Sequence, residues 1–210
     1  MGGAARSDEV VQRMIQIKDR VLAVKGNRED YLVEGMPPVL HDGKIKLNKE
    51  IIERNDWVKN SLSTSTKMFI YGLPKKILYP VDGKVIYIAH YPMNEDNSYR
   101  KHIKQATLED NQEMFAGIEA DVYFYGHTHE VIYHEKNQKY YINPGALGCP
   151  GKTNQAPYGI LEIEENKIQY QQCSVNYPVE EVIEDIEKVA FPGYESVLKL
   201  FYGKEECIKK

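Results

Sequence analysis

The sequence predicts an α/β fold. Three patterns alternate along it: short apolar runs of strand type that end on ligand-type side chains, hairpin signals, and amphipathic helical periods near both ends. Its 210 residues amount to one domain at a prior of about 150 residues each. That domain is expected over 1–210, with cap or insertion segments at about 31–66 and 91–107. Acidic side chains number 31 and basic ones 27, for a net charge of −4. A chain so balanced has no overall positive field, which excludes nucleic acid as a general partner. No apolar run approaches the roughly 20 residues of a membrane span, and the first twenty residues are polar and mixed in charge, so neither membrane insertion nor export is expected. Cys149, Cys173 and Cys207 are odd in number and far apart, as reduced thiols of a cytoplasmic protein would be.

Val10, Val11, Met14 and Ile15 recur at helical spacing behind Ser7 or Asp8 as a cap. Val21, Leu22, Ala23 and Val24 form a continuous apolar run ending at Gly26, the pattern of a buried strand. Residues 31–46 lose all periodicity around Gly35, Pro37, Pro38 and Gly43 and read as a loop or cap insertion. A second amphipathic helix follows through Leu47, Ile51, Val58 and Leu62, and the hydroxyl-rich run 61–66 ends it. Strands at 76–79 and 84–89 flank Asp82 and Gly83, a strong hairpin signal, and the second arm ends on His90. After a polar surface stretch at 94–104, Thr107 and Asp110 form a capping box for a helix to Ile118. The strand 121–125 then delivers Gly126, His127, Thr128 and His129. Two more hairpins are expected, over 131–143 and 159–173, before helices through Val179 to Val189 and Tyr194 to Tyr202.

Four candidate ligands therefore stand just beyond strands: Asn27, His90, His127 and His129. Rigid strand ends can aim side chains at one point. Imidazole nitrogens with an amide oxygen suit divalent Mn, Fe, Ni or Zn, whereas calcium favours an all-oxygen shell. A His-x-His pair at a strand end also occurs in amidohydrolase barrels and cupins. A barrel of that kind takes about 250 residues and eight strand-helix units, and the absence of thiols speaks against structural zinc. His41 and His102 read as surface histidines, His134 as a cross-strand partner, the 16 tyrosines as lining half-buried strand surfaces, and the acidic run at 180–185 as a solvated helix face.

Gly26-Asn27-Arg28-Glu29, a strand ending on His90, Gly126-His127-Thr128-His129 and Asn143-Pro144-Gly145-Ala146 occur in this order. They resemble the ordered motifs of the calcineurin-like metallophosphoesterase superfamily, in particular its small bacterial phosphodiesterase and diadenosine tetraphosphatase-related branch. The resemblance implies two packed mixed β-sheets flanked by helices and hydrolysis of a phosphodiester, nucleotide or phosphoanhydride by a metal-activated water. It also implies that Asn27, His90 and His127 bind one metal, that His129 serves a second, and that a small phosphorylated molecule is the substrate. Many members carry His where Arg28 stands here. Arginine stays protonated and cannot act as that acid, but its planar fork suits a phosphate, so Arg28 is the candidate catalytic and substrate-binding residue.

Members also begin with Asp-x-His and Gly-Asp motifs, and neither pair occurs in the 210 residues. The expectation is a chain that starts late, short of a βαβ-sized piece of roughly 30 residues. It would then hold at most one ion, manganese being a suitable one. Uncovered sheet edges would favour self-association. A second expectation is a catalytically impaired member that binds a nucleotide or a protein.

Overall fold

The computed structural model describes residues 5–40, 45–149, 153–164 and 167–204. The helical first third comprises α1 (Ser7–Gln16), a 3-10 turn at Lys18–Arg20, α2 (Asn27–Val33), strands β1 (Val39–Leu40) and β2 (Ile45–Lys46), α3 (Lys49–Ser61) and α4 (Thr64–Gly72). Next come β3 (Lys76–Val81), β4 (Lys84–Ala89), α5 (Leu108–Met114), β5 (Val122–Phe124), β6 (Val131–Lys136) and β7 (Lys139–Pro144). The hairpin β8 (Gln155–Glu164) and β9 (Lys167–Asn176) precedes α6 (Val179–Val189) and α7 (Tyr194–Tyr202). Among the described residues no helix is long and apolar enough to cross a membrane.

The main sheet has the order β3-β4-β5-β7-β6. Its three central strands are parallel, and β3 and β6 flank them antiparallel. Both hairpins turn as their sequences predict. Asp82 and Gly83 have φ of 46° and 73°, and Asn137 and Gln138 of 52° and 59°, the paired positive values of a tight primed turn. Pro80 is tolerated because β3 is an edge strand.

Strand alternation divides the core into two faces. On one face Tyr87, Tyr123 and Tyr141 stand in register on adjacent strands. They pack with Phe115, Met114 and Tyr125, and the Tyr123 and Tyr141 rings stack 4.9 Å apart at 8°. These tyrosines are core rather than half-buried lining. On the other face Ile86, Val122, Tyr140 and Ile142 meet Leu161, Ile163, Ile168 and Tyr170 of the β8-β9 hairpin. The second layer of the expected two-sheet architecture is therefore this long two-stranded ribbon.

Several expectations are corrected. Residues 21–24 are not a strand. Val21 is extended at φ −127°, ψ 126°, but the segment pairs with no strand among the described residues, and Leu22 is 50% exposed. Apolar character set the backbone conformation without a neighbour to bond it. The chain is tied instead by the Lys25 N–H to the Pro74 carbonyl at 2.8 Å. Residues 31–33 belong to α2 rather than to a loop.

The hydroxyl run 61–66 does not merely end α3; it starts another helix. Ser63 caps α4 by accepting from the Thr66 N–H. Asp8 is no cap of its own helix, whose N-cap is Arg6. Its carboxylate instead accepts the Ser63 N–H at 2.8 Å and hydroxyl at 2.9 Å, while Gln12 Nε2 donates to Ser63, Ser65 and Thr66. Side chains of α1 thus satisfy the start of α4. The capping box of Thr107 and Asp110 forms as expected, although α5 stops at Met114. Cys207, the turn at 165–166, and His41 with Asp42 lie outside the described residues.

Replacing Tyr123 by Ala should cost about 3–5 kcal/mol of unfolding free energy, as for other buried aromatics. Tyr123→Phe should cost about 1 kcal/mol, for the hydrogen bond its hydroxyl donates to the Ile118 carbonyl at 2.8 Å. Urea denaturation checks both. At the helix junction, the Thr66 hydroxyl and then the Ser63 N–H hold the Asp8 carboxyl below its ordinary value of 3.8. Its stabilising effect is present above that value and is lost as pH falls through the lower folded value. Asp8→Ala should therefore cost about 1 kcal/mol at neutral pH, less than a fully buried charged hydrogen bond. The gap between variant and parent should close in denaturation series taken below about pH 4.

Candidate metal centre

The parallel strands β4, β5 and β7 send their carboxyl ends to one edge of the sheet, where open α/β sheets place their ligands. His90 follows β4 directly. Gly126 to His129 follow β5 after one residue, and Gly145 follows β7. Helix α2 begins at the same place, with Gly26 as N-cap and Asn27 as its first residue. Glu29 reaches back to accept the Gly26 N–H at 2.9 Å.

Three of the four candidate ligands meet. His90 Nε2 lies 2.9 Å from Asn27 Oδ1 and 3.1 Å from His127 Nδ1. The two imidazoles stand edge to face with centroids 5.1 Å apart. The Asn27 amide nitrogen is directed to the Tyr31 hydroxyl at 3.4 Å, which leaves Oδ1 as the atom facing His90. His129 is exposed. Its ring lies 6.0 Å from Phe201, and it is near enough for its charge to act on His90.

Backbone geometry around the second motif is unusual. His127 and His129 have φ of 67° and 62°, and the Thr128 N–H bonds the Gly126 carbonyl at 2.7 Å. That closes a γ-turn about His127 in its rarer, strained hand. Fully buried Asn143 holds the turn. It donates to the Gly126 carbonyl at 3.1 Å and to the Thr128 hydroxyl at 2.9 Å, and accepts the Gly145 N–H at 3.1 Å. The Gly126 N–H in turn bonds the His90 carbonyl at 2.9 Å, coupling the two histidine-bearing ends. The Asn-Pro-Gly motif thus works as a clip.

Glycine is required at position 26. A Cβ there would lie 2.9 Å from His90 Nδ1 and 2.9 Å from the Glu29 carboxylate. Burial pushes the His90 pKa down to about 4, so the imidazole is neutral at ordinary pH. A neutral ring with an amide oxygen and a second imidazole nitrogen at hydrogen-bond distance brings together three atoms that can each offer a lone pair. Such a set fits a cation. Donors separated by about 3 Å also match adjacent ligands of an ion with bonds of about 2.1 Å. Among the described residues, no group of three or more His, Cys, Asp or Glu gathers anywhere. The donor set is therefore two imidazoles and an amide.

Aromatic residues wall the centre. Tyr99 stacks on His127 at 6.0 Å and 13°, and its hydroxyl donates to Asp30 Oδ2 at 2.9 Å. Lys75 stands 3.6 Å from the same carboxylate. His102 meets the His127 ring edge-on at 5.1 Å, so it belongs to the site's surroundings rather than to an isolated surface. Sequence reasoning missed Tyr99, which lies in an aperiodic stretch and is bound to a residue 69 positions away. Tyr91, buried beside His127, had a visible signal in its place next to His90. Arg28 lies half-buried on the first turn of α2, where its charge acts on Arg54 and Cys149. His134 does pair across the sheet with Tyr141, and its Nδ1 meets the Asn111 amide at 3.0 Å.

Solved structures of similar fold include hypothetical protein PH1004 from Pyrococcus horikoshii OT3. It matches at a TM-score of 0.77 and 12% identity, over 98% of this chain and 83% of that one. A metallophosphoesterase from Sphaerobacter thermophilus matches at 0.68 and 19%, over 97% and 85%. Among curated proteins no relative matches. The model of the calcineurin-like phosphoesterase superfamily domain matches residues 2–166. With most of its length so matched, and with the fold those structures share, the chain belongs to the calcineurin-like phosphoesterase superfamily, whose general chemistry is metal-dependent phosphoester hydrolysis.

Proposed function

We propose that this chain hydrolyses a small phosphodiester, nucleotide or phosphoanhydride. Asn27, His90 and His127 would hold one divalent ion of the Mn, Fe, Ni or Zn type, with His129 at its margin. The observation that carries the reading is the convergence of Asn27 Oδ1 and His127 Nδ1 on His90 Nε2. An ion held there supplies Lewis-acid polarisation of a phosphoryl oxygen and a water of lowered pKa.

The chain's own groups do the rest. Asn143 and the γ-turn fix where His127 stands, and Tyr99 covers one face of its ring. Arg28 grips the phosphate through its fork and steadies the charge that builds on it. Because Arg28 cannot give up a proton, substrates whose leaving oxygen departs unprotonated are favoured. The free thiols Cys149 and Cys173 accord with a reducing, cytoplasmic setting.

The test is manganese-dependent hydrolysis of bis-p-nitrophenyl phosphate, an activated diester, with His127→Ala as control. Loss of about 100-fold or more in rate on that substitution is expected, as for removal of a principal electrostatic group. Rates equal in parent and control, or no hydrolysis by either, would overturn the reading in favour of a binding protein.

A further inference from the structure

Asp30 is a buried carboxylate with one close partner. It stands on α2, one turn past Asn27, and is 7% exposed. Burying a carboxylate is costly unless its oxygens are answered. Here Oδ2 accepts a hydrogen bond from the Tyr99 hydroxyl at 2.9 Å. Oδ1 takes no hydrogen bond among the described residues and faces the Lys75 ammonium at 3.6 Å. The short bond is therefore the one to a tyrosine.

That tyrosine lies against both candidate histidines. Its ring stacks on His127 at 6.0 Å and 13°, and meets His90 edge to face at 5.9 Å. The loop that carries it is held on both sides. Met93 and Tyr99 form an isolated bridge, the Arg100 N–H bonds the Pro92 carbonyl at 2.9 Å, and the Arg100 guanidinium donates to the Glu113 and Met114 carbonyls at the end of α5. Burial, and then the Asp30 charge, raises the Tyr99 pKa, so the hydroxyl keeps the proton it donates.

Two routes thus run from α2 to His127. One passes from Asn27 through His90, the other from Asp30 through Tyr99. They start one turn apart on one helix and end on one imidazole. A single link sets a distance, whereas two links one turn apart also set an orientation.

We propose that Asp30, acting through Tyr99, is a positioning residue of the metal centre: the pair holds the Asn27 amide oxygen and the His127 imidazole at the spacing a divalent ion requires. This rests on the metal-dependent reading above and deepens it. Neither residue of the pair touches the ion.

The experiment is calorimetric titration of manganese into the metal-free parent, Tyr99→Phe, Asp30→Ala, Asp30→Asn and the Tyr99→Phe/Asp30→Ala double variant, with the imidazole nitrogen resonances of each metal-free protein read by NMR. Tyr99→Phe and Asp30→Ala should each raise the manganese Kd by about tenfold and move the His127 resonances, as loss of a partner behind a ligand does. The double variant should bind no more weakly than either single one, because the two residues act as one link. Asp30→Asn keeps an acceptor for the hydroxyl and should recover most of the lost affinity. A pair that only stabilises the fold would lower the melting temperature and leave the Kd and the His127 resonances at parent values, and that result overturns the proposal. So does a double variant weakened by the product of the two single effects. Should Asp30→Ala fail to fold, Tyr99→Phe, which keeps the ring, decides the matter alone. Diester hydrolysis is scored separately. Hydrolysis with equal manganese affinities refutes this link alone, variant-dependent binding without hydrolysis refutes the phosphoesterase reading alone, and a parent that binds no manganese refutes both.

Discussion

Asn27 Oδ1 and His127 Nδ1, from distant parts of the chain, are each held within about one hydrogen-bond length of His90 Nε2. Everything at the sheet edge serves to keep that arrangement in place. Burial keeps the His90 ring neutral. Gly26 leaves the space the ring occupies, because any side chain there would collide with it. The strained turn at His127 is sustained by a buried asparagine with each polar atom of its amide engaged. This held cluster is the place where the proposed cation would bind.

The energetic support lies behind the edge. Tyr87, Tyr123 and Tyr141 join β4, β5 and β7 across one face, and the β8-β9 ribbon covers the other. Because both faces of the parallel centre are packed, the carboxyl ends of its strands are fixed relative to each other. The site is thus built on strand ends whose sheet is packed on both faces. Asn27, the first of the candidate ligands, comes from a helix anchored differently, through α3 and α4 and their serine-rich junction with α1. Apolar packing at Trp57 and Phe191, whose rings stack 5.2 Å apart, ties α3 to α6 and α7.

The strands, hairpins and terminal helices were readable because their signals are local: alternation, an Asp-Gly turn, a capping box. Asn27, His90 and His127 could be singled out as candidate ligands because each stands just past an apolar run. Residues 21–24 misled because strand character needs a neighbour that local pattern cannot supply. Helix α4 was hidden because Ser63 looked like the end of one helix when it is the cap of the next. Tyr99 and the clip function of Asn143 depend on contacts 69 and 15 residues apart in sequence, where no periodicity leads. The resemblance to a family supplied the two-layer architecture, which spacing alone does not.

Titration of the metal-free protein with manganese, followed by calorimetry, tests the central claim most directly. Two imidazoles and an amide offer no negative charge to offset a second close cation. One ion per chain should bind, and His90→Ala and His127→Ala should weaken it by about 10-fold or more while leaving the far-ultraviolet circular dichroism unchanged. Manganese affinity equal in parent and both variants would contradict the account.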